Sequence, residues 1–146
     1  MSGYYFPGDS DFTETAGSSG SRTFRFASRI VEKLTVTDND AQDNTLAVAE
    51  IVGGVVVHTS VTGAGTVTTD TAANIIAGSG GQGVLSNNGD SIVCYYINDG
   101  TQTLTLAGGT GVTISDTAQT IAADEAAILV FVRVSATTVT CYVIGA

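Results

Sequence analysis

The sequence predicts an all-β chain, a sandwich or barrel, and three observations carry that expectation. Threonine occurs 22 times in 146 residues, and its branched Cβ suits strands better than helices. Polar and apolar residues alternate in short runs separated by glycine- and asparagine-rich breaks, as in "TLTLAGGTGVTI" (103–114), which is the pattern of half-buried strands joined by turns. The only proline is Pro7, so no later segment is barred from pairing in a sheet. A chain of this length suits one domain burying about two thirds of its unfolded surface.

Taken in order, residues 1–22 are rich in glycine, serine, threonine and acids, with Tyr4, Tyr5 and Phe6 at the tip and Phe12 beyond. Such a segment makes no core of its own and reads as an extended arm. In "RTFRFASRIVEKLTVT" (22–37), Phe24 and Phe26 share a face and Arg25 alternates with them, as in a strand. An amphipathic helical turn over 27–33 is the competing assignment. "DNDAQDN" (38–44) reads as a polar loop. Strands are then expected at 45–52, 54–60, 66–69, 91–98, 101–107, 111–115, 117–121, 126–135 and 137–144. The last two form a hairpin across 135–137. One helix is expected within "TTDTAANIIAG" (68–78), with a threonine or aspartate as N-cap and Gly78 as its stop,. The resulting layout is an arm, 1–33, and a single β-sandwich domain, 34–146.

The glycines at 108–111 also invite a phosphate-binding reading, which fails on chemistry. A P-loop needs a lysine just after its glycines. The only lysine is Lys33, and no basic residue lies between it and Arg133. A dinucleotide fingerprint needs a helix to open at the glycines, whereas Val112-Thr113-Ile114 resumes the strand alternation. A strand-to-strand connection is expected instead.

Charge separates the two parts of the chain. Charged residues make up 13%, about half the usual share. The net charge is −9. Residues 1–33 are neutral, with Arg22, Arg25, Arg29 and Lys33 against Asp9, Asp11, Glu14 and Glu32. The rest carries every other acid and a single base, Arg133. A body of that kind does not neutralise phosphates, so direct nucleic-acid binding is not expected. The N-terminus shows no signal-peptide pattern, and the longest apolar runs, "IVGGVVV" (51–57) and "AAILVFV" (126–132), are too short to span a membrane.

No catalytic machinery is expected. The single histidine, His58, reads as solvent-facing or inter-subunit. Cys94 and Cys141 read as buried thiols on adjacent strands, with a disulfide open if those strands pair. With one histidine and no ligand spacing, no zinc site or other cofactor is expected. As an EF-hand, "DNDAQDN" fails because its sixth position is Asp43 rather than glycine and its twelfth is Ala49,. A non-EF calcium site or a subunit contact remains the alternative to a solvated loop. The chain is not expected to be an enzyme.

Six of the ten aromatics lie in the first 26 residues. Aromatics and arginine are the types that anchor interfaces, so Tyr4, Tyr5, Phe6, Phe12, Arg22, Phe24, Arg25, Phe26 and Arg29 are the expected partner-binding residues. Fully extended, 33 residues reach about 110 Å. In the competing reading the Phe24/Phe26 strand packs on the body and the tip is disordered.

Three segments together resemble a module of tailed-bacteriophage and large DNA virus structural proteins: "TAANIIAG", "GDSIVCYYINDGTQTLTLAGGTGVTI" and "TIAADEAAILVFVRVSATTVTCYVIG". The resemblance covers roughly residues 70–146 and rests on turn and strand patterns. It implies a compact, jelly-roll-like β-sandwich assembled as a homotrimer and displayed on the virion. The N-terminal arm is not part of that pattern. The expectation is a capsid decoration (cement) protein, made in the host cytoplasm and carried on the capsid exterior. Its arm would clamp subunits of the major capsid protein. A tail-fibre, spike or receptor-binding tip is the alternative.

Overall fold

A computed structural model describes residues 12–16, 22–26, 34–59, 63–80, 82, 84–115 and 119–145. The chain is strand-rich, and it divides into two compact units, Met1–Lys33 and Leu34–Ala146. In the first, β1 (Phe12–Ala16) pairs antiparallel with β2 (Arg22–Phe26), placing Phe12 opposite Phe26 and Glu14 opposite Phe24.

The second unit is wound as a coil between two sheets. β3 (Thr35–Asn39) belongs to the first sheet and β4 (Asn44–Leu46) to the second. The helix α1 (Val48–Gly53) returns the chain to β5 (Gly54–His58), parallel to β3, and β6 (Gly65–Thr69) follows, parallel to β4. After α2 (Ala72–Ala77) the third turn lays β7 (Ser91–Asn98) along β5 and β8 (Leu104–Ala107) along β6, again parallel. Parallel neighbours need a crossover connection, and here the excursion through the other sheet supplies it.

The remaining strands close the stack. β9 (Val112–Ile114) lies parallel to β12 (Val139–Ile144) at one edge of the first sheet, and β10 (Thr120–Ile121) lies antiparallel to β8. β11 (Glu125–Arg133) pairs antiparallel with both β7 and β12. The sheet orders are β3-β5-β7-β11-β12-β9 and β10-β8-β6-β4. The all-β class therefore holds. The parallel pairs depart from the antiparallel neighbours of a jelly roll, because successive strands visit opposite sheets and re-enter each one in the same direction.

Two local expectations need correction. Residues 45–52 are not one strand: only Asn44–Leu46 is β, and Val48–Gly53 is helical. The Glu50 carboxylate accepts from the Ala47 backbone N–H at 2.7 Å, the reach-back half of a capping box, and Gly54 ends the helix at φ 91°. In addition, Asp38 and Asn39, assigned to the polar loop, are the last two residues of β3. The helix α2 agrees with expectation. The Thr71 hydroxyl accepts from the Asn74 N–H at 3.3 Å, and Gly78 follows the last turn.

One hydrophobic cluster draws on both sheets and both helices, including Leu46, Ile51, Val56, Ile75, Leu104, Phe131 and Cys141. The glycines after β8 serve this packing. They connect two sheets rather than two strands of a hairpin, and a Cβ on Gly109 would stand 2.3 Å from the Thr69 carbonyl oxygen. Gly109 donates its N–H to the Thr69 hydroxyl at 2.9 Å, a backbone approach that a side chain would prevent.

Candidate interaction face

The six-stranded sheet has an inner face in the core and an outer face with unusual chemistry. Side chains alternate across a strand, and the burial along β5, β7, β11 and β12 follows that alternation. The pairing register then sets out the outer face row by row. The longest row is Val36, Val55, Tyr95, Ile128 and Ile144, running across five strands. Beside it lie Val93, Val130 and Tyr142 on one side and Val57, Ile97 and Ala126 on the other. Thr140, paired with Val132 and with Thr113, begins a polar margin.

This surface is open to solvent. Val36 is 64% exposed, Ile144 55%, Tyr142 48%, Tyr95 44% and Val93 43%. They are five of the eight large apolar residues exposed among those described. The one charged residue in the rows is Asp38, opposite Val57 at a corner. An apolar surface of this continuity marks an interaction site in a folded protein. A signal for it exists in the sequence. Runs such as "VVV" (55–57) and "AAILVFV" (126–132) are apolar at both strand parities, the composition of strands covered on both faces. The core covers only the inner one.

The inner face holds the polar groups that could have suggested chemistry, and each is tied into structure. His58, expected at the surface, is fully buried. Its Nδ1 lies 2.6 Å from the Tyr96 hydroxyl, while its Nε2 has no partner among the described residues. Burial, with Glu50 as a second contribution, pushes the Tyr96 hydroxyl well above its ordinary value. Asn98 is also fully buried, and its Nδ2 donates towards the carbonyls of Gln102, Ile121 and Ala122 at 2.7, 3.0 and 2.9 Å.

Cys94 and Cys141 are free and buried. They lie on β7 and β12 with β11 between them, so the expected adjacency is corrected and no bridge forms. Burial pushes both thiols up to about 12; Glu50 adds to this at Cys94, and Cys94 adds to it at Cys141. Such thiols are poor nucleophiles because the thiolate is the reactive form.

In the acidic stretch 38–44 two carboxylates are engaged by distant residues, while Asn44 Nδ2 is buried with no partner among the described residues. Asp38 accepts from the Thr59 hydroxyl at 3.1 Å and Asp43 from the Thr66 N–H at 2.8 Å. No group of three or more His, Cys, Asp or Glu side chains capable of holding a metal occurs among the described residues. Arg133 acts as a clamp: its Nη1 donates to the carbonyls of Leu85 and Ser86, and its Nε to that of Ser135.

Of the expected partner-binding residues, Phe12, Arg22, Phe24, Arg25 and Phe26 lie on the paired strands β1 and β2. Tyr4, Tyr5, Phe6 and Arg29 lie outside the described residues. Compared with family models, curated proteins and solved structures, the chain matches none. No helix among the described residues is long and apolar enough to cross a membrane.

Proposed function

We propose that the chain is a virion structural protein of the capsid-decoration class. Two-sheet bodies of residues 34–146 would associate as a homotrimer on the capsid exterior. The N-terminal residues 1–33 would engage the major capsid protein. The observation that carries this reading is the uncovered apolar face of the six-stranded sheet, on a body that is otherwise acidic and sparsely charged. Such a face favours protein–protein assembly over chemistry on a small substrate. The aromatic and basic residues of 1–33 supply a second, differently charged contact, and holding several subunits at once turns weak contacts into avidity.

The test is a pair of measurements. Light scattering on the full chain and on residues 34–146, whose core is self-contained, is expected to give a threefold mass for both. A single-chain mass for both would overturn the homo-oligomer. Shells stripped of the protein are then expected to take up the full chain and to refuse residues 34–146. Full occupancy by the trimmed chain would remove the role given to 1–33. In the virion the protein is expected among the abundant bands, whereas a scarce band would favour a fibre or spike tip.

A further inference from the structure

We infer that the occupant of the outer face of the six-stranded sheet is a second copy of this chain, and that the contact centres on Tyr95, Ile128 and Val130. The inference rests on the reading of the protein as self-assembling and says where copies meet. The outer face is thereby not assigned to the shell.

Three considerations select a second copy. The first is extent. Five strands at strand spacing, with about six residues along each, make a surface of roughly 24 by 20 Å. In projection that is roughly 480 Å², somewhat over half of the about 800 Å² of accessible surface that each partner commits to a standard interface. A two-stranded ribbon is about 10 Å across, less than half that width.

The second is charge. Every copy carries −9 in total, all of it on residues 34–146, so copies repel wherever their acids meet. The outer face is where two such bodies can approach, because Asp38 at its corner is the only charged side chain in the rows. A partner recruited by opposite charge would be drawn to the remaining acidic surface instead.

The third is shape and composition. Rows of valine and isoleucine on a sheet pack well against the same rows of neighbouring copies, three such faces closing round a threefold axis. Tyr95 and Tyr142 place large, stiff aromatic side chains on this surface. Strands apolar at both parities are then covered twice, once by the core and once by a neighbour.

The experiment compares full-length wild type, the double variant Val93→Glu/Tyr142→Glu, and the control Val84→Glu. Val93 and Tyr142 both oppose Val130 on the face, while Val84 is exposed in the loop before β7. Two like charges set into each copy are expected to weaken association at least about a hundredfold. At equal concentration the double variant should therefore scatter as a single chain with an unchanged circular dichroism spectrum. The control should keep the wild-type mass.

A double variant that keeps the multiple mass overturns the inference and leaves self-assembly standing. A wild type of single-chain mass overturns self-assembly itself. Hydroxyl-radical footprinting of unmutated protein covers the case in which the double variant does not fold. Tyr95 and Tyr142 are expected to be protected on raising concentration from the dissociated to the assembled range, with buried Tyr96 protected throughout. Labelling of Tyr95 and Tyr142 that stays constant while the mass rises would overturn the inference equally.

Discussion

At the scale of single residues, the buried polar groups decide more than the reactive ones. Asn98 ties the β7–β8 turn to the end of β10 and the residue after it through three carbonyls, and its Oδ1 also accepts from the Gly100 N–H at 3.1 Å. Replacing it by alanine orphans several buried groups at once. We expect Asn98→Ala to cost about 2–4 kcal/mol, measured as a lower urea midpoint with an unchanged slope. The thiols give a pH dependence of fixed sign. Held up to about 12 in the folded chain against 9.0 ordinarily, Cys94 and Cys141 keep their protons when the unfolded chain has begun to lose them. Their contribution to stability is therefore complete below pH 9 and falls as pH rises towards 12, by about 1.4 kcal/mol per unit for each thiol. Urea titrations at pH 8 and pH 10 should show the loss, and Cys141→Ala should make it shallower. An unchanged slope in that variant would count against a buried, protonated Cys141.

At the scale of elements, strand positions were legible, and so was the one pairing between chain neighbours, the β11–β12 hairpin; the distant partners were not. The period-2 runs at 91–98 and 137–144 correspond closely to β7 and β12, because alternation is a local property of the chain. The helix in "LAVAEIVGG" was missed because its apolar residues also satisfy a strand. Glu50 and Gly54, which decide the matter, act through one backbone hydrogen bond and one left-handed dihedral. The coil itself leaves no local mark: Val55 finds Tyr95 forty positions away. Its connections do leave one, in glycine. Gly111 sits at φ 79°, and a Cβ there would lie 2.8 Å from the Thr137 carbonyl oxygen and 3.0 Å from the Ala72 Cβ. Gly89 has φ 93° but open space around it. Gly111→Ala should therefore cost about 1–3 kcal/mol more than Gly89→Ala, read from thermal unfolding of the two variants. Equal costs would mean that dihedral strain alone matters and the crowding at Thr137 does not.

At the scale of the whole molecule, the two faces of the six-stranded sheet divide its roles. The inner face makes the fold, and its apolar side chains follow from alternation, whereas buried His58 was expected at the surface. The outer face had its own trace, the strands apolar at both parities, but what those residues meet depends on a surface outside one body. The same sheet has a further consequence, for the order in which the chain is made. β7 is the strand on which the parallel turns, through β5, and the C-terminal hairpin, through β11, both lie. A nascent chain that stops short of residue 91 lacks β7, the strand that covers the free edge of β5 in the finished sheet. The apolar "VVV" of β5 is then exposed on both sides, the kind of edge that joins other chains. Until β7 emerges, neither β5 nor the closing hairpin has its pairing strand, so the six-stranded sheet cannot be completed from either side.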